Sequence, residues 1–128
     1  MAKIGKLIRN STKFYGREEE SVNYLLSKGY NIELIKPSHT AKNKNPDIWL
    51  NGKIWEIKTP ITDNKNTLER KITKGGRQSE NLLIDLRFIK LNEKEAINIL
   101  TNKFQKSRRV KNLLLITKDR LLVITNRK

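Results

Sequence analysis

Apolar positions along the 128-residue chain switch between a period near four and a period of two, and the switches mark the elements. Val22, Leu25 and Leu26 form a stripe that predicts a helix over residues 16–28. Glu18, Glu19 and Glu20 load its first turn, where the macrodipole favours acids, and Gly29 stops it. Residues 30–36 read as a strand closed by Pro37. Residues 48–58 alternate as a hairpin, and Pro60 stops its second strand. Residues 64–80 form a second helical stretch, with Leu68 and Ile72 four apart. Gly75-Gly76 interrupts it, each glycine costing about 1 kcal/mol in a helix interior, so the pair either ends the helix or admits a close neighbour. Residues 82–88 are a strand, and residues 93–106 a third helix carrying Ile97, Leu100 and Phe104. Residues 112–118 and 121–125 close the chain as a hairpin around Asp119-Arg120. Residues 1–15 are basic and weakly patterned, an arm or a short helix. The order α-β-β-β-α-β-α-β-β is that of an α/β chain, one domain over residues 1–128.

The strongest local signal lies in Pro46-Asp47-Ile48-Trp49-Leu50-Asn51-Gly52-Lys53-Ile54-Trp55-Glu56-Ile57-Lys58. Asn51-Gly52 suits a two-residue type I′ turn, because both turn positions need positive φ. Closing the turn there pairs Leu50 with Lys53, Trp49 with Ile54, Ile48 with Trp55 and Asp47 with Glu56. Side chains alternate along a strand, so Lys58 joins Glu56 on one face. Carboxylates opposed at about 5 Å repel by on the order of 3 kcal/mol at an effective dielectric of roughly 20. A divalent cation between them reverses that sign, and hard oxygen ligands suit Mg²⁺ or Mn²⁺. Solvation of a surface hairpin, with Lys53 and Lys58 as counter-charges, would also relieve the repulsion. The apolar residues on both faces (Ile48, Trp49, Leu50, Ile54, Trp55, Ile57) speak for a buried hairpin and hence for the metal.

Composition narrows the partner. Against 28 Lys and Arg the chain sets 13 Asp and Glu, a formal net charge of +15. A small domain this basic binds polyanions by releasing their counterions. No segment joins an apolar face to a concentrated basic one, which favours nucleic acid over a membrane surface. No apolar run approaches a membrane span, and no hydrophobic signal segment opens the chain. The absence of cysteine excludes disulfides and thiolate metal sites and leaves the compartment open. Basic residues gather as Lys36, Lys42 and Lys44, as Lys65, Arg70, Lys71, Lys74 and Arg77, and as Lys103, Lys106, Arg108, Arg109 and Lys111. The first two groups flank the carboxylates and form the expected phosphate track. The third reads mainly as a solvated helix end.

Pro46-Asp47 followed by Glu56-Ile57-Lys58 on the next strand resembles the PD-(D/E)XK signature of restriction-endonuclease-like nucleases. The α-β-β-β-α-β order through Phe88 is similar to the core of that fold, with a C-terminal helix and β-hairpin added. A narrower likeness covers most of the chain. Gly16-Arg17-Glu18-Glu19-Glu20, Gly29-Tyr30, the Pro-Asp hairpin with Gly52-Lys53-Ile54, Pro60, and Gln78 before an apolar strand resemble the C-terminal tRNase toxin domains of CdiA contact-dependent inhibition proteins. The final pair of short strands does so too. The resemblance implies metal-dependent cleavage of RNA, tRNA above all, in the cytoplasm of a cell reached by delivery from a donor. For toxin members it also implies a cognate immunity protein. A start at Met1-Ala2-Lys3, with almost nothing ahead of the domain, departs from the delivered-toxin arrangement and leaves the chemistry untouched.

Under that resemblance Asp47 and Glu56 hold one or two Mg²⁺ or Mn²⁺ ions, and the family pattern adds the Ile57 carbonyl. Lys58 orients the attacking water or stabilises charge on the phosphorane, and a salt bridge to Glu56 is compatible with either. Glu18 continues the Val22 and Leu25 stripe and is the expected auxiliary ligand, ahead of Glu20. Gln78 touches water or phosphate by resemblance, unless it is an ordinary polar residue at a helix end. His39, the single histidine, has an imidazole suited to metal-free acid–base chemistry but no histidine partner. Trp49 and Trp55 fall on opposite faces of the hairpin, both expected in the core, with Trp49 also able to stack on a base. The competing readings are a DNA endonuclease of a phage or mobile element, since nothing here reads the 2′-hydroxyl, and a non-catalytic nucleic-acid-binding protein. The last has no need of Asp47, Glu56 and Lys58 together.

Overall fold

A computed structural model describes residues 5, 7–8, 17–34, 48–50 and 52–125. Seven strands form one sheet whose spatial order follows the chain: β1 (Leu7–Ile8), β2 (Ile32–Leu34), β3 (Ile48–Leu50), β4 (Lys53–Lys58), β5 (Asn81–Asp85), β6 (Asn112–Ile116) and β7 (Leu121–Thr125). Helices α1 (Arg17–Ser27), α2 (Lys65–Gly76) and α3 (Glu93–Lys106) cross over between β1 and β2, β4 and β5, and β5 and β6. Those three strand pairs are therefore parallel, whereas β2–β3, β3–β4 and β6–β7 are antiparallel. No helix among the described residues is long and apolar enough to cross a membrane.

The hairpin takes the expected register, Leu50 with Lys53, Trp49 with Ile54 and Ile48 with Trp55. Gly52 holds φ at 89°, the conformation the turn demands. Asp47, His39, Lys42 and Lys44 lie outside the described residues.

Alternation along the strands sorts side chains into two apolar layers. Val22 and Leu25 of α1 pack with Ile57, Leu83, Leu114 and Ile116 on one face of the sheet. Leu68 and Ile72 of α2, with Ala96, Leu100 and Phe104 of α3, pack with Leu82, Ile84, Leu113 and Leu115 on the other. Strand β5 is buried at every position, as a parallel strand covered on both sides must be. Because Glu56 pairs with Leu82 and Lys58 with Ile84, both polar side chains lie on the α2 face.

Helix ends follow from local chemistry. Gly29, at φ 94°, lets its own N–H reach the Leu26 carbonyl and the Tyr30 N–H reach the Leu25 carbonyl, the paired bonds of a Schellman stop. The Asn64 side chain accepts from the Thr67 N–H at 3.1 Å and caps α2, and Asn92 does the same for α3 through Glu95.

Several elements depart from the sequence expectation. Leu7–Ile8 is a strand parallel to β2, where an arm or short helix was expected. It docks through Gly5, whose N–H donates to the Leu26 carbonyl at 2.8 Å, and a Cβ at Gly5 would overlap the Tyr30 carbonyl oxygen. Gly5→Ala should therefore detach β1 at a cost of about 1–3 kcal/mol, seen as faster amide exchange at residues 7–8 with no change in β5 and β6. Strand β2 (Ile32–Leu34) begins at Ile32 rather than at residue 30, and residues 35–36 lie outside the described residues. Helix α2 ends at Gly76 rather than near Glu80, and β5 ends at Asp85 rather than Phe88, because the Asp85 carboxylate turns the chain by accepting the Arg87 N–H at 3.0 Å. Strand β6 stops at Ile116, two residues early, where the Thr117 hydroxyl accepts the Asp119 and Arg120 amides of the turn.

Candidate active site

Glu56 occupies the middle of β4, covered by α2, and is 5 % exposed. Two residues on, the Lys58 Nζ lies 3.3 Å from Glu56 Oε2. The same ammonium donates a 2.7 Å hydrogen bond to Gln78 Oε1. One cation thus bridges a buried carboxylate and an amide from a different element. Gln78 reaches this position from beyond α2, its N–H donating to the Gly75 carbonyl at 2.9 Å. The glycine pair both ends the helix and permits close approach: a Cβ at Gly75 would lie 2.6 Å from Leu82 Cδ2. Any larger residue there would press on the buried Leu82 side chain of β5, so one of the two must shift.

Positive charge converges on the same spot. Burial lowers the Lys71 pKa, and repulsion from Lys58, Lys74 and Arg17 lowers it further. In the folded state the charged form is therefore disfavoured relative to the unfolded chain, with its ordinary value of 10.5. The sign follows directly: the penalty is full below the folded pKa and fades as pH rises from that value towards 10.5. Lys71→Met should raise stability at pH 7 by about 0.5 kcal/mol, a figure kept small by solvent screening, and the gain should vanish near pH 10.5. Urea midpoints at the two pH values check this. Nucleic-acid affinity should fall in the same variant.

Arg17 was not singled out by its sequence position. Its Nε donates to the Thr59 carbonyl at 3.2 Å and to the Thr59 hydroxyl at 3.3 Å, fastening the start of α1 to the end of β4. A signal was present, since a cation at the first position of a helix opposes the macrodipole and asks for another reason to be there. Glu18 is half-buried on the same turn. Because α1 covers the Ile57 face of β4 and Glu56 lies on the opposite face, Glu18 would have to reach that carboxylate around the strand end. Ile57 itself packs its side chain into the α1 layer. Among the described residues no three acidic or histidine side chains converge as a metal cage.

Other expected residues separate. Arg70 and Lys74 are exposed on α2, whereas Arg77 lines a distinct cleft of about 280 Å³ with Lys103, Lys106, Arg108 and Arg109. The second and third basic groups of the sequence meet there, with Lys106, Arg108 and Arg109 exposed, as at a solvated helix end. Trp55 is in the α1-side core as expected, but Trp49 is 41 % exposed, a correction to the expectation that both tryptophans are core residues.

Comparison with known proteins places this geometry in context. Residues 44–122 match a family described as the contact-dependent growth inhibition CdiA C-terminal domain. The fold is similar to that of a solved CdiA-CT/CdiI toxin and immunity complex from Burkholderia pseudomallei, with a TM-score of 0.68 and 23 % identity over 94 % of this chain and 99 % of that one. No curated protein matches significantly.

Proposed function

We propose that this chain, which belongs to the CdiA C-terminal domain family of contact-dependent growth inhibition, is a toxin nuclease of the PD-(D/E)XK type that hydrolyses tRNA with the help of a divalent metal. The observation that carries the reading is Lys58, at the end of the second hairpin strand, held at once by Glu56 and Gln78. An ammonium fixed beside a buried carboxylate, with Lys71 near enough to feel its charge, is expensive for a surface that only needs to attract nucleic acid. It is useful where charge develops on a phosphate.

The donor chemistry fits a hard divalent ion. Glu56 is a carboxylate withdrawn from bulk water, and Asp47, one residue ahead of β3 in the sequence, is the second proposed ligand, with the Ile57 carbonyl and Glu18 as further candidates. When bound, Mg²⁺ or Mn²⁺ supplies positive charge against the phosphate and acidifies a coordinated water. The protein side chains do the rest. Lys58 has three ammonium protons; one is committed to Gln78 and one faces Glu56, which leaves the third for water or a phosphate oxygen. Because Gln78 Oε1 accepts from Lys58, its Nε2 is turned to donate elsewhere. Lys71, Lys74 and Arg17 raise the local potential that draws the phosphate in.

The net charge of +15 supports a nucleic-acid substrate, and tRNA is proposed on the resemblance of the motifs to CdiA tRNase toxin domains. The similar complex from Burkholderia pseudomallei contains an immunity protein, and by that likeness a cognate immunity protein is proposed here, with delivery from a donor cell and action in the recipient cytoplasm. The test is cleavage of total RNA, purified tRNA and plasmid DNA, with Mg²⁺ or EDTA, by wild type and Glu56→Ala. Discrete tRNA fragments that need both Mg²⁺ and Glu56 support the reading. Cut plasmid with intact tRNA would make it a DNA endonuclease, and intact substrates with tight, salt-sensitive binding would make it a binding protein.

A further inference from the structure

A cleft of about 440 Å³ opens on the other side of Gln78, lined by Trp49, Ile54, Asn81 and Asn112, with Lys53 and Glu80 also on its wall. Its volume falls within the range of small-molecule sites. Two features set it apart from a chance groove. Trp49 leaves its indole 41 % exposed beside a polar floor, while Trp55 of the same hairpin is 7 % exposed. The floor is held rigidly: Asn81 Nδ2 donates to the Ile54 carbonyl at 2.9 Å, Ser79 Oγ donates to the same carbonyl at 3.1 Å, and Asn112 Nδ2 donates to Asn81 Oδ1 at 2.6 Å.

That chain of bonds settles which amide atoms are left to offer a ligand. The Ile54 carbonyl can only accept, so Asn81 must turn its nitrogen to it and its oxygen to Asn112. Asn112 must then answer with its nitrogen, leaving Oδ1 directed away as an acceptor. Beyond Gln78 the Lys58 ammonium can only donate, so Gln78 meets it with Oε1 and keeps Nε2 as a donor. The cleft therefore offers an aromatic wall, acceptors at Asn112 and Glu80, and a donor at Gln78. Since Gln78 also holds Lys58, cleft and reactive centre share one side chain.

We propose that this cleft seats one unstacked nucleobase beside the scissile phosphate, stacked on Trp49 and selected by its amino-bearing edge. The inference rests on the nuclease reading above and adds the substrate position it selects. An exocyclic amine on adenine, cytosine or guanine donates to Asn112 Oδ1 or the Glu80 carboxylate. Uracil has no exocyclic amine and offers a single N3–H flanked by two carbonyl oxygens, which those acceptors repel, so it binds more weakly.

Tryptophan fluorescence tests this in EDTA, so that nothing is cut, with single-stranded hexamers of adenylate, cytidylate or uridylate. Adenylate and cytidylate should quench Trp49 and bind about tenfold more tightly than uridylate. Trp49→Ala should weaken adenylate binding about tenfold or more and remove the quenching, with Trp55 as the unresponsive internal reference, and Trp49→Phe should restore affinity. Glu80→Gln should narrow the gap between adenylate and uridylate. Equal binding of the three hexamers, or unchanged affinity in Trp49→Ala, would overturn the proposal. Hexamer binding with the expected preference but no cleavage of any substrate in Mg²⁺ would sink the nuclease reading instead and leave the cleft standing.

Discussion

Glu56→Gln is expected to lower tRNA cleavage at least about a thousandfold and, with it, to erase the thermal stabilisation that Mg²⁺ gives the wild type. Lys58→Met is expected to lower cleavage about a hundredfold and to keep that stabilisation. The two residues touch, so a loss of activity alone would not separate their roles. Metal linkage does. An ion present at roughly ten times its dissociation constant stabilises the folded state by about 1.4 kcal/mol, which in a chain of this size moves the midpoint by about 5 °C. Glu56→Gln removes a charged ligand and keeps the shape, so that shift should disappear. Lys58→Met removes a cation from beside the proposed metal and should preserve or enlarge it. If both variants keep the Mg²⁺ shift, Glu56 is no ligand. If Lys58→Met loses the shift while Glu56→Gln keeps it, the assignment of roles is reversed. Gln78→Ala sits downstream of Lys58 and should cost only about tenfold, because it positions an ammonium that Glu56 still holds.

The hairpin was legible in the sequence because one dipeptide, Asn51-Gly52, sets its register, and alternation then places Glu56 and Lys58 on one face. Helix α3 was legible to the residue because Asn92 and the stripe ending at Phe104 bracket it. Strand β1 was not. A parallel pairing of two residues has no periodicity to read, and it depends on a backbone contact at Gly5 that only the fold creates. The meeting of Lys58 with Gln78 was half legible: both residues were picked out, but along a helix that was expected to run past Gly76. The shared cleft of Arg77 with Arg108 and Arg109 joins residues some thirty apart, which no local pattern can announce.

The same holds for Asp85, read only as part of an apolar strand, and it sets up the largest expected effect on stability. Asp85 is 0 % exposed. Its carboxylate accepts from the Ser21 hydroxyl at 2.7 Å, from Arg87 Nη2 at 2.7 Å and Nε at 2.9 Å, and from the Arg87 N–H. Arg87 also donates to the Glu20 carbonyl at 3.2 Å and lies 4.9 Å from the Tyr24 ring. The hydrogen bond to Asp85 holds the Arg87 pKa above its ordinary value, with burial opposing it. One buried charge thereby clamps α1 to the end of β5, close to where Arg17 fastens the same helix to β4. Arg87→Met leaves that charge buried with no counter-ion, held only by the Ser21 hydroxyl and the backbone N–H of residue 87, and should cost about 3 kcal/mol, or about 12 °C in midpoint. Asp85→Asn alone should cost about 1 kcal/mol, since the arginine left behind is partly solvated. The double variant should recover more than half of the loss seen in Arg87→Met, because the charge that made that loss large is gone. Additive losses in the double variant would show instead that packing of the arginine stem over Tyr24 and Phe88, rather than the charge at Asp85, holds α1 in place.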